Sequence, residues 1–346
     1  MTGGQVRAVG RRFYSAAIRP AKLIVDLVGL AIGFTRFREN YILERWDGKQ
    51  RLAGAKRVAI FVHYDRSGRV QEYVLYYLDQ LVQAGFTVVF ITNSPAIEPA
   101  SLLDVQSRCA LLLRRRNIGH DFGAYKDGLA IIGDAAGLEE VLLANDSVYG
   151  PFSDLSALLK RCDGTAAVWG ITDCWERRFH IQSYFLLLKK PVLVDRQFRE
   201  FWLRVRYLGS RRFIIKWYEV GFTQAMLRAQ HRCVALFPYR RSAEAISAAA
   251  LSGELRNEKL TAERRGYLQR LFDSVEDGVP LNATHFFWDY LIGELGCPFL
   301  KRDLLTKNPM RIPFVSQWQM LLRRTTRYDT DMIAQDLERA LRDRSI

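Results

Sequence analysis

The sequence predicts an α/β protein with a mostly parallel central sheet covered by helices on both faces. Short apolar runs with strand character alternate with segments whose apolar residues have helical spacing, and turn-forming polar residues follow most of the strands. The composition agrees, because 49% hydrophobic and 25% charged residues in a chain of 346 are typical of a globular protein. These values exclude a disordered chain, a collagen-like chain and a coiled-coil rod.

The first part of the predicted sheet runs from residue 58 to residue 132. VAIFVHY at Val58–Tyr64 is a buried-strand pattern, and Val70–Ala84 follows with its apolar residues at helical spacing until Gly85 ends the helix. The other elements predicted here are the strands Phe86–Ile91 and Ala110–Leu113 and the helix Asp121–Ile132, with Asp121 at its N-cap.

From residue 140 the alternation continues and then changes to helices. The patterns predict a strand at Glu140–Ala144, a helix at Ser153–Cys162 capped by Ser153, and strands at Thr165–Ile171 and Gln182–Leu188. The segments that follow residue 189 have helical spacing. The helices predicted there are Pro191–Tyr207, Ile214–Gln230, Thr261–Asp273, His285–Leu295 and Asp329–Arg342.

The positive charge is concentrated at the N-terminus. The formal net charge is +14, and residues 1–57 hold twelve Lys and Arg against four Asp and Glu. Within this basic arm, Leu23–Phe34 (LIVDLVGLAIGF) is too short for a bilayer span, which needs about 20 apolar residues. Two interpretations stay open: a helix lying in the membrane interface beside anionic lipid, or a helix packed on the domain with a solvated basic face.

The charge and the cysteines also bear on partners and location. No nucleic-acid-binding motif accompanies the basic stretches, so phosphorylated substrates or anionic lipid are favoured over nucleic acid. The cysteines form no CxxC or CxxH pair, which excludes a zinc-finger signature and a disulfide framework. A cytoplasmic protein is therefore expected, with small buried cysteines at positions Cys109, Cys162, Cys174, Cys233 and Cys297.

The segments that follow the predicted strands carry most of the unusual polar residues. In open α/β sheets ligands bind beyond the carboxyl ends of the strands. The sequence therefore predicts a ligand site assembled from the segments 65–68, 92–94, 116–123, 145–150 and 172–175.

The densest of these segments is RNIGHDFGAYKDG, at 116–128. Gly119 and Gly123 would let the backbone approach a ligand closely. The N-terminus of the helix that starts at Asp121 would present free N–H groups and a positive dipole end to a diphosphate. The alternative is an ordinary capped helix after a turn.

A single carboxylate, Asp146, follows the strand predicted at Glu140–Ala144. Carboxylates at such a strand end can hold Mg²⁺ or Mn²⁺, since both cations prefer oxygen ligands. Asn145-Asp146-Ser147 is also a turn-forming sequence, and spacing alone favours the turn.

Three further residues are candidates for chemistry. Glu219, at the front of the Ile214–Gln230 helix, could act as general base for a sugar hydroxyl, although an isolated glutamate is usually a surface or ion-pair residue. His180 and His285 lie beside aromatic residues that could stack on sugar rings. Either histidine as a metal ligand is the minority interpretation, because most such histidines are core residues.

Five strings together resemble the rhamnan synthesis protein F family over residues 56–315: VAIFVHYDRSGRV, RNIGHDFGAYKDGL, LANDSVYGPF, HIQSYFLL and KNPMRIP. The resemblance implies a glycosyltransferase of the GT-A fold that builds rhamnose-containing or related cell-surface polysaccharides. It also implies a nucleotide-sugar donor, dTDP- or UDP-linked, and a saccharide or polyprenyl-linked acceptor at the inner face of the plasma membrane. Where the GT-A pattern has Asp-x-Asp, this sequence has Asn145-Asp146-Ser147, with one acid.

The position of the unusual polar residues at predicted strand ends suggests roles for them within a domain at 56–315, between the arm at 1–55 and a helical tail at 316–346. Glu219 is the expected catalytic base of an inverting transfer, and Asp146 and His285 are the expected metal ligands. The sugar pocket is expected at His180, Gln182, Tyr184 and Trp288. Donor binding is expected at His63, Tyr64, Asp65, Asn93, Arg116, Asn117, Gly119, Asp121, Gly123, Lys126 and Asn145. The alternative is a non-catalytic glycan- or glycolipid-binding module that keeps the fold.

Overall fold

The computed structural model describes residues 41–133, 137–257 and 260–342. The apolar segment Leu23–Phe34 and the rest of the arm up to residue 40 lie outside the described residues. The strands are β1 (Ile42–Asp47), β2 (Arg57–His63), β3 (Thr87–Thr92), β4 (Leu111–Arg115), β5 (Glu140–Asn145), β6 (Val148–Tyr149), β7 (Val168–Cys174), β8 (His180–Ile181), β9 (Phe185–Lys189), β10 (Cys233–Phe237) and β11 (Leu300–Lys301).

A central sheet confirms the predicted α/β class. Within the described ranges it has nine strands in the order β1-β4-β3-β2-β5-β9-β7-β10, with β8 paired to β7. Six of these nine strands run in one direction, since β1, β8 and β9 are the ones that pair antiparallel with their neighbours. The strands β6 and β11 form a separate antiparallel pair.

Helices surround the sheet. They are α1 (Glu72–Gln83), α2 (Pro99–Gln106), α3 (His120–Ile132), α4 (Leu155–Leu159), α5 (Lys190–Leu193), α6 (Arg196–Arg204), α7 (Arg211–Ile214), a π-helix (Ile215–Glu219), α8 (Val220–Arg228), α9 (Tyr239–Leu251), α10 (Ala262–Glu276), α11 (Ala283–Phe286), α12 (Trp288–Gly293), α13 (Arg302–Thr306), α14 (Trp318–Thr325) and α15 (Asp331–Arg342), with single 3₁₀ turns at Glu254–Arg256 and Val315–Gln317. None of the described helices is both long enough and apolar enough to cross a bilayer.

The sheet is buried on both faces, as expected for parallel strands covered by helices. In β2, Phe61 packs into the cluster that includes Tyr77 of α1. Its neighbours Ile60 and Val62 point the other way, into the cluster that includes Phe122 of α3. The alternation of side chains along a strand thus builds one core on each side of the sheet.

Three strand regions differ from the sequence-based expectation. Ile42–Asp47, inside the segment expected to be a basic arm, pairs antiparallel with β4 at one edge of the sheet. Cys233–Phe237, which had not been predicted, pairs parallel with β7 at the other edge. The strand predicted at Gln182–Leu188 is replaced by β8 and β9, which are separated by Gln182–Tyr184.

Two predicted N-caps are wrong. Asp154, not Ser153, caps α4, because its side chain accepts the backbone N–H of Ser156 at 2.8 Å. Gly119, not Asp121, precedes α3; its φ of 80° is left-handed, a conformation that glycine adopts without steric cost. The carboxylate of Asp121 therefore lies in the first turn of α3 and is available for other contacts.

Candidate functional site

Polar side chains from four separate segments meet at the carboxyl end of β5. They are Asp121 at the start of α3, Asn145 at the end of β5, Asp146 directly after it, Glu219 at the end of the π-helix, and Lys301 of β11. We call these five residues the strand-end cluster. Their position agrees with the rule that ligands bind beyond the carboxyl ends of strands in α/β sheets.

Asn145 orients Asp121. Its Nδ2 donates to Asp121 Oδ2 at 3.1 Å and to the Tyr125 hydroxyl at 3.2 Å, while its Oδ1 accepts the N–H and the hydroxyl of Ser147. Asn145 is 2% exposed, so every polar atom of a buried amide is used. Asn145 is therefore a positioning residue for Asp121, and burial raises the pKa of that carboxyl.

Asp146 occupies the turn after β5 with little compensating charge. Its Oδ2 accepts the backbone N–H of Tyr64 at 3.1 Å. The pKa of Asp146 is raised to about 7: burial, with smaller contributions from Asp121 and Asp336, outweighs the lowering effects of Arg302 and of the Tyr64 N–H. A carboxylate in this environment is stabilised by an additional positive charge.

Glu219 is held at the cluster by Ser183. Its Oε1 accepts both the backbone N–H of Ser183, at 2.9 Å, and the Ser183 hydroxyl, at 2.8 Å. The π-helix Ile215–Glu219 interrupts the α-helix predicted at Ile214–Gln230, and such single turns are frequent at functional sites. One carboxylate oxygen is thus fixed, and no hydrogen bond to Oε2 is found within the described residues.

The glycines expected to approach a diphosphate are required for packing. The Gly119 N–H donates to the Leu208 carbonyl at 3.0 Å, and a Cβ on Gly119 would lie 3.2 Å from the Tyr207 ring. A Cβ on Gly123 would lie 2.7 Å from the Ile118 carbonyl oxygen. The glycines therefore let the 207–208 segment press on this turn, which is a different reason for their presence than the predicted one.

Other expected donor-binding residues near this turn point elsewhere. Arg116 and Asn117 are exposed. Lys126 donates to the Val205 carbonyl at 2.6 Å and lies 5.2 Å from the centre of the Tyr207 ring. None of these three side chains makes a hydrogen bond, an ion pair or a ring contact with a residue of the strand-end cluster in the described part of the chain.

The arginine that organises this region is Arg115, which would be expected from sequence only to add positive charge beside Arg114 and Arg116. Arg115 is 1% exposed and donates to Asp127 Oδ2 at 2.8 Å, to Asn93 Oδ1 at 2.8 Å and to the Ile118 carbonyl at 2.9 Å. Asn93, expected to bind the donor, is thus committed to Arg115. The position of Arg115 in its strand could have indicated that it is buried, because the side chains of Leu113 and Arg115 point to the same, buried face.

The residues after β2 are also committed. His63 is 2% exposed with Nδ1 3.1 Å from the Thr92 hydroxyl, and burial lowers its pKa to about 4, so the ring is neutral at pH 7. Burial would raise the pKa of Asp65, but hydrogen bonds from Arg339 and Ser67 hold it well below its usual range. Tyr64 is 44% exposed and contributes its backbone N–H to Asp146.

The expected sugar-pocket residues separate into two places. His180 Nδ1 lies 2.9 Å from the Arg178 carbonyl, and Gln182 and Tyr184 both hydrogen bond Thr172 Oγ1, at 2.6 and 2.8 Å. Trp288 instead lines a cavity of about 990 Å³ between α9, α10, α12 and α14. Trp288 and Tyr184 belong to the same hydrophobic core cluster, but no hydrogen bond or ring contact joins Trp288 to the other three residues within the described ranges.

His285 is paired with Asp303, its Nε2 lying 3.2 Å from Asp303 Oδ1. Burial would raise the pKa of Asp303, but the hydrogen bond from His285 lowers it to about 2. Within residues 41–133, 137–257 and 260–342, no three His, Cys, Asp or Glu side chains form a group suited to a metal ion. His285 and Asp146 therefore do not belong to one three-residue metal site in the part of the chain described.

A buried ion-pair network from the C-terminal helix α15 lies next to Asp146. Arg302 donates to both carboxylate oxygens of Asp336, at 2.8 and 2.9 Å, and the Tyr149 hydroxyl donates to Asp336 at 2.7 Å. One turn further along α15, Arg339 pairs with Asp65. No local pattern in the sequence indicates this network, since its members come from segments that are far apart in the chain.

Comparisons with known proteins agree with the motifs. The model of the rhamnan synthesis protein F family matches residues 88–249, which confirms the predicted resemblance. The chain is 28% identical over 173 residues to an uncharacterized protein, y4gN, of Sinorhizobium fredii, covering 48% of this chain and 45% of that protein. It is 27% identical over 276 residues to virulence protein VirA of Vibrio anguillarum, covering 76% of this chain and 84% of that protein.

Two solved structures match the chain at low similarity. One is the mannosyltransferase PcManGT of Pyrobaculum calidifontis, in complex with GDP-Man and Mn²⁺, at 13% identity and a TM-score of 0.28 over 79% of this chain and 98% of that one. The other is a glycosyltransferase involved in glycosylation of the major capsid of PBCV-1, at 11% identity and a TM-score of 0.26 over 48% of this chain and 77% of that one. At these TM-scores the likeness is loose and assigns no residue of this chain.

Proposed function

Given the match to the rhamnan synthesis protein F family, we propose that the chain is a glycosyltransferase that takes a sugar, rhamnose or a related hexose, from a nucleotide-sugar donor. The observation that carries the proposal is the strand-end cluster, in which two carboxylates, Asp146 and Asp121, lie at the carboxyl end of β5 with a third, Glu219, beside them. This is the edge of an α/β sheet at which nucleotides bind.

A divalent cation fits the chemistry of Asp146 and Asp121. Carboxylate oxygens are the ligands that Mg²⁺ and Mn²⁺ prefer, and the raised pKa of Asp146 indicates that its charge is poorly compensated. When bound, the cation would supply positive charge toward the leaving phosphate. Asn145 would keep Asp121 oriented toward it, while His285, paired with Asp303, would contribute indirectly at most.

Glu219 is the proposed general base. Ser183 fixes one carboxylate oxygen, which leaves the other to accept the proton of an acceptor hydroxyl as that hydroxyl attacks the anomeric carbon. A single displacement of this kind inverts the configuration of the transferred sugar. The acceptor is a saccharide, free or polyprenyl-linked, and the donor nucleotide is UDP or dTDP.

The part of the arm that precedes β1, residues 1–40, is the proposed link to the membrane. Its excess of Lys and Arg would attract anionic lipid at the inner face of the plasma membrane, where lipid-linked acceptors are available to a cytoplasmic enzyme. We also propose a transferase domain at 56–315, which contains the strand-end cluster, and a tail at 316–346, which contains α15.

The test is transfer by purified protein with a panel of UDP- and dTDP-linked sugars and Mn²⁺, followed by NMR of the product. We expect slow donor hydrolysis without acceptor and an inverted anomeric configuration with acceptor. Retention of the donor's configuration would reject Glu219 as the base of a single displacement. Glycan binding without any turnover of the donors would favour the non-catalytic module.

A further inference from the structure

Lys301 and Arg302 are adjacent in sequence, but Arg302 has ion-pair partners and Lys301 has none among the described residues. Arg302 is committed to Asp336 through two hydrogen bonds. Lys301 makes no ion pair shorter than 4.0 Å with any described carboxylate, although three of them lie near it. The ammonium group of Lys301 therefore keeps its three donors for another partner.

The fold holds Lys301 over an aromatic ring. The pairing of β11 with β6 puts Lys301 opposite Val148, two residues after Asp146. Its Nζ lies 4.2 Å from the centre of the buried Tyr184 ring, whose hydroxyl is tied to Thr172. A cation–π contact fixes the position of an ammonium group without using its hydrogen-bond donors.

The charges around Lys301 suit a site that binds an anion together with a cation. Burial lowers the pKa of Lys301, and the nearby carboxylates of Asp303, Glu219 and Asp121 oppose this by favouring its charged form. A diphosphate placed against the carboxylates of Asp121 and Asp146 would be repelled unless positive charge lay nearby. Within the strand-end cluster Lys301 is the residue that supplies such a charge.

We propose that Lys301 binds the diphosphate of the nucleotide-sugar donor and carries part of the charge that develops on it as the glycosidic bond breaks. This inference rests on the proposed function and adds a phosphate-binding residue to it. Lysine binds phosphate as a compact point charge, and a charge already positioned in a partly buried site costs little reorganisation during the reaction.

The test compares variants at two lysines. Lys301→Met keeps the aliphatic stem over Tyr184 without the charge, and Lys301→Arg keeps the charge. Lys190→Ala removes the same charge from an exposed lysine after β9, which ends at the amino edge of the parallel strands, opposite the cluster. Binding of UDP and dTDP is measured by calorimetry with EDTA and with Mn²⁺, and binding of uridine and thymidine by ligand-observed NMR.

We expect Lys301→Met to weaken binding of UDP or dTDP by about ten- to a hundred-fold, the usual range for a charged hydrogen bond. Nucleoside binding should stay unchanged, Lys301→Arg should recover most of the loss, and Lys190→Ala should bind as the wild type does. Thermal melting of each variant confirms that it folds.

Two results would overturn the inference while leaving the proposed function intact. One is diphosphate binding by Lys301→Met at wild-type affinity. The other is an equal loss of nucleoside and diphosphate, which would mean a general disturbance of the site. If the wild type binds neither diphosphate and turns over none of the donor sugars, the proposed function itself is wrong and the inference falls with it.

Discussion

The strand-end cluster and the ion-pair networks around it contain similar residues in very different states. In the networks, Arg115 and Arg302 are each satisfied by buried acceptors at 2.8–2.9 Å. In the cluster, Asp146 accepts one backbone N–H, and Lys301 rests on an aromatic ring. The comparison teaches that charges with complete sets of partners hold the backbone in place, whereas charges with incomplete sets are available to a ligand.

The largest effect is expected for the base. Glu219→Gln keeps the acceptor for Ser183 but cannot take a proton, so transfer should fall by about 10²–10⁴-fold, with donor binding unchanged. The measurement is kcat with a donor identified by the screen above. The matched control is Glu200→Gln, which changes a glutamate paired with Arg196 and Arg204 on the surface of α6. Equal losses in both variants would show that Glu219 has no special role.

The second-largest effect is expected when the ion-pair network at α15 is disrupted. Asp336→Ala leaves the Arg302 guanidinium and the Tyr149 hydroxyl without their acceptor, so the free energy of unfolding should fall by about 3–5 kcal/mol. Denaturant titration measures the change. The control is Asp331→Ala, also in α15, which removes an exposed ion-pair partner of Arg323 in α14 at 3.5 Å. It should lower the free energy of unfolding by less than about 1 kcal/mol. Similar costs for the two variants would contradict the comparison.

The third effect is a pH dependence. Because the folded pKa of His63 is about 4 against 6.5 when unfolded, the unfolded chain binds more protons between these values. Protonation of the unfolded chain therefore lowers the free energy of unfolding by about 3 kcal/mol as the pH falls from 6.5 to 4, and the full stability is present above pH 6.5.

Asp146 acts in the opposite direction, since its raised pKa gives stability that is lost as pH rises from 3.8 to about 7. The measurement is therefore the difference in unfolding free energy between the wild type and His63→Gln at several pH values. A difference that does not vary with pH would contradict the assignment of a neutral, buried His63.

The smallest effect concerns a glycine. Gly123→Ala would place a Cβ 2.7 Å from the Ile118 carbonyl oxygen, and the required shift should destabilise the protein by about 1–3 kcal/mol. Gly266→Ala in α10, whose Cβ would meet nothing closer than 3.6 Å, should instead stabilise it by about 0.4–1 kcal/mol. Thermal melting distinguishes the two. A stabilised Gly123→Ala would mean that the turn has space, as the ligand-approach hypothesis requires.

The sequence predicts the fold wherever local pattern decides it. Residues 58–63 and 87–91 are apolar and largely β-branched or aromatic, and both form central strands. Ile42–Asp47 was missed because an edge strand exposes most of its side chains and therefore lacks a continuous apolar run. Cys233–Phe237 was missed because five residues after a helix carry a weak signal.

The site residues also divide into those that local sequence pattern predicts and those that it does not. Asp121, Asn145, Asp146 and Glu219 could be chosen from sequence because they follow predicted strands or begin a predicted helix. Lys301 could not, because it reaches the cluster through the pairing of β11 with β6, which is a tertiary contact between distant segments. The commitment of Asp65 to Arg339 was hidden for the same reason.

The dependence of Asp65 and Arg302 on α15 has a consequence for biosynthesis. A nascent chain that has emerged from the ribosome up to residue 325 already contains every strand of the sheet but not the Asp336 carboxylate or the Arg339 guanidinium. The loop after β2 and the segment after β11 then lack their counter-ions. The region around Asp146 would acquire its final geometry only after residues 331–342 have been synthesised, later than the residues of the described strands.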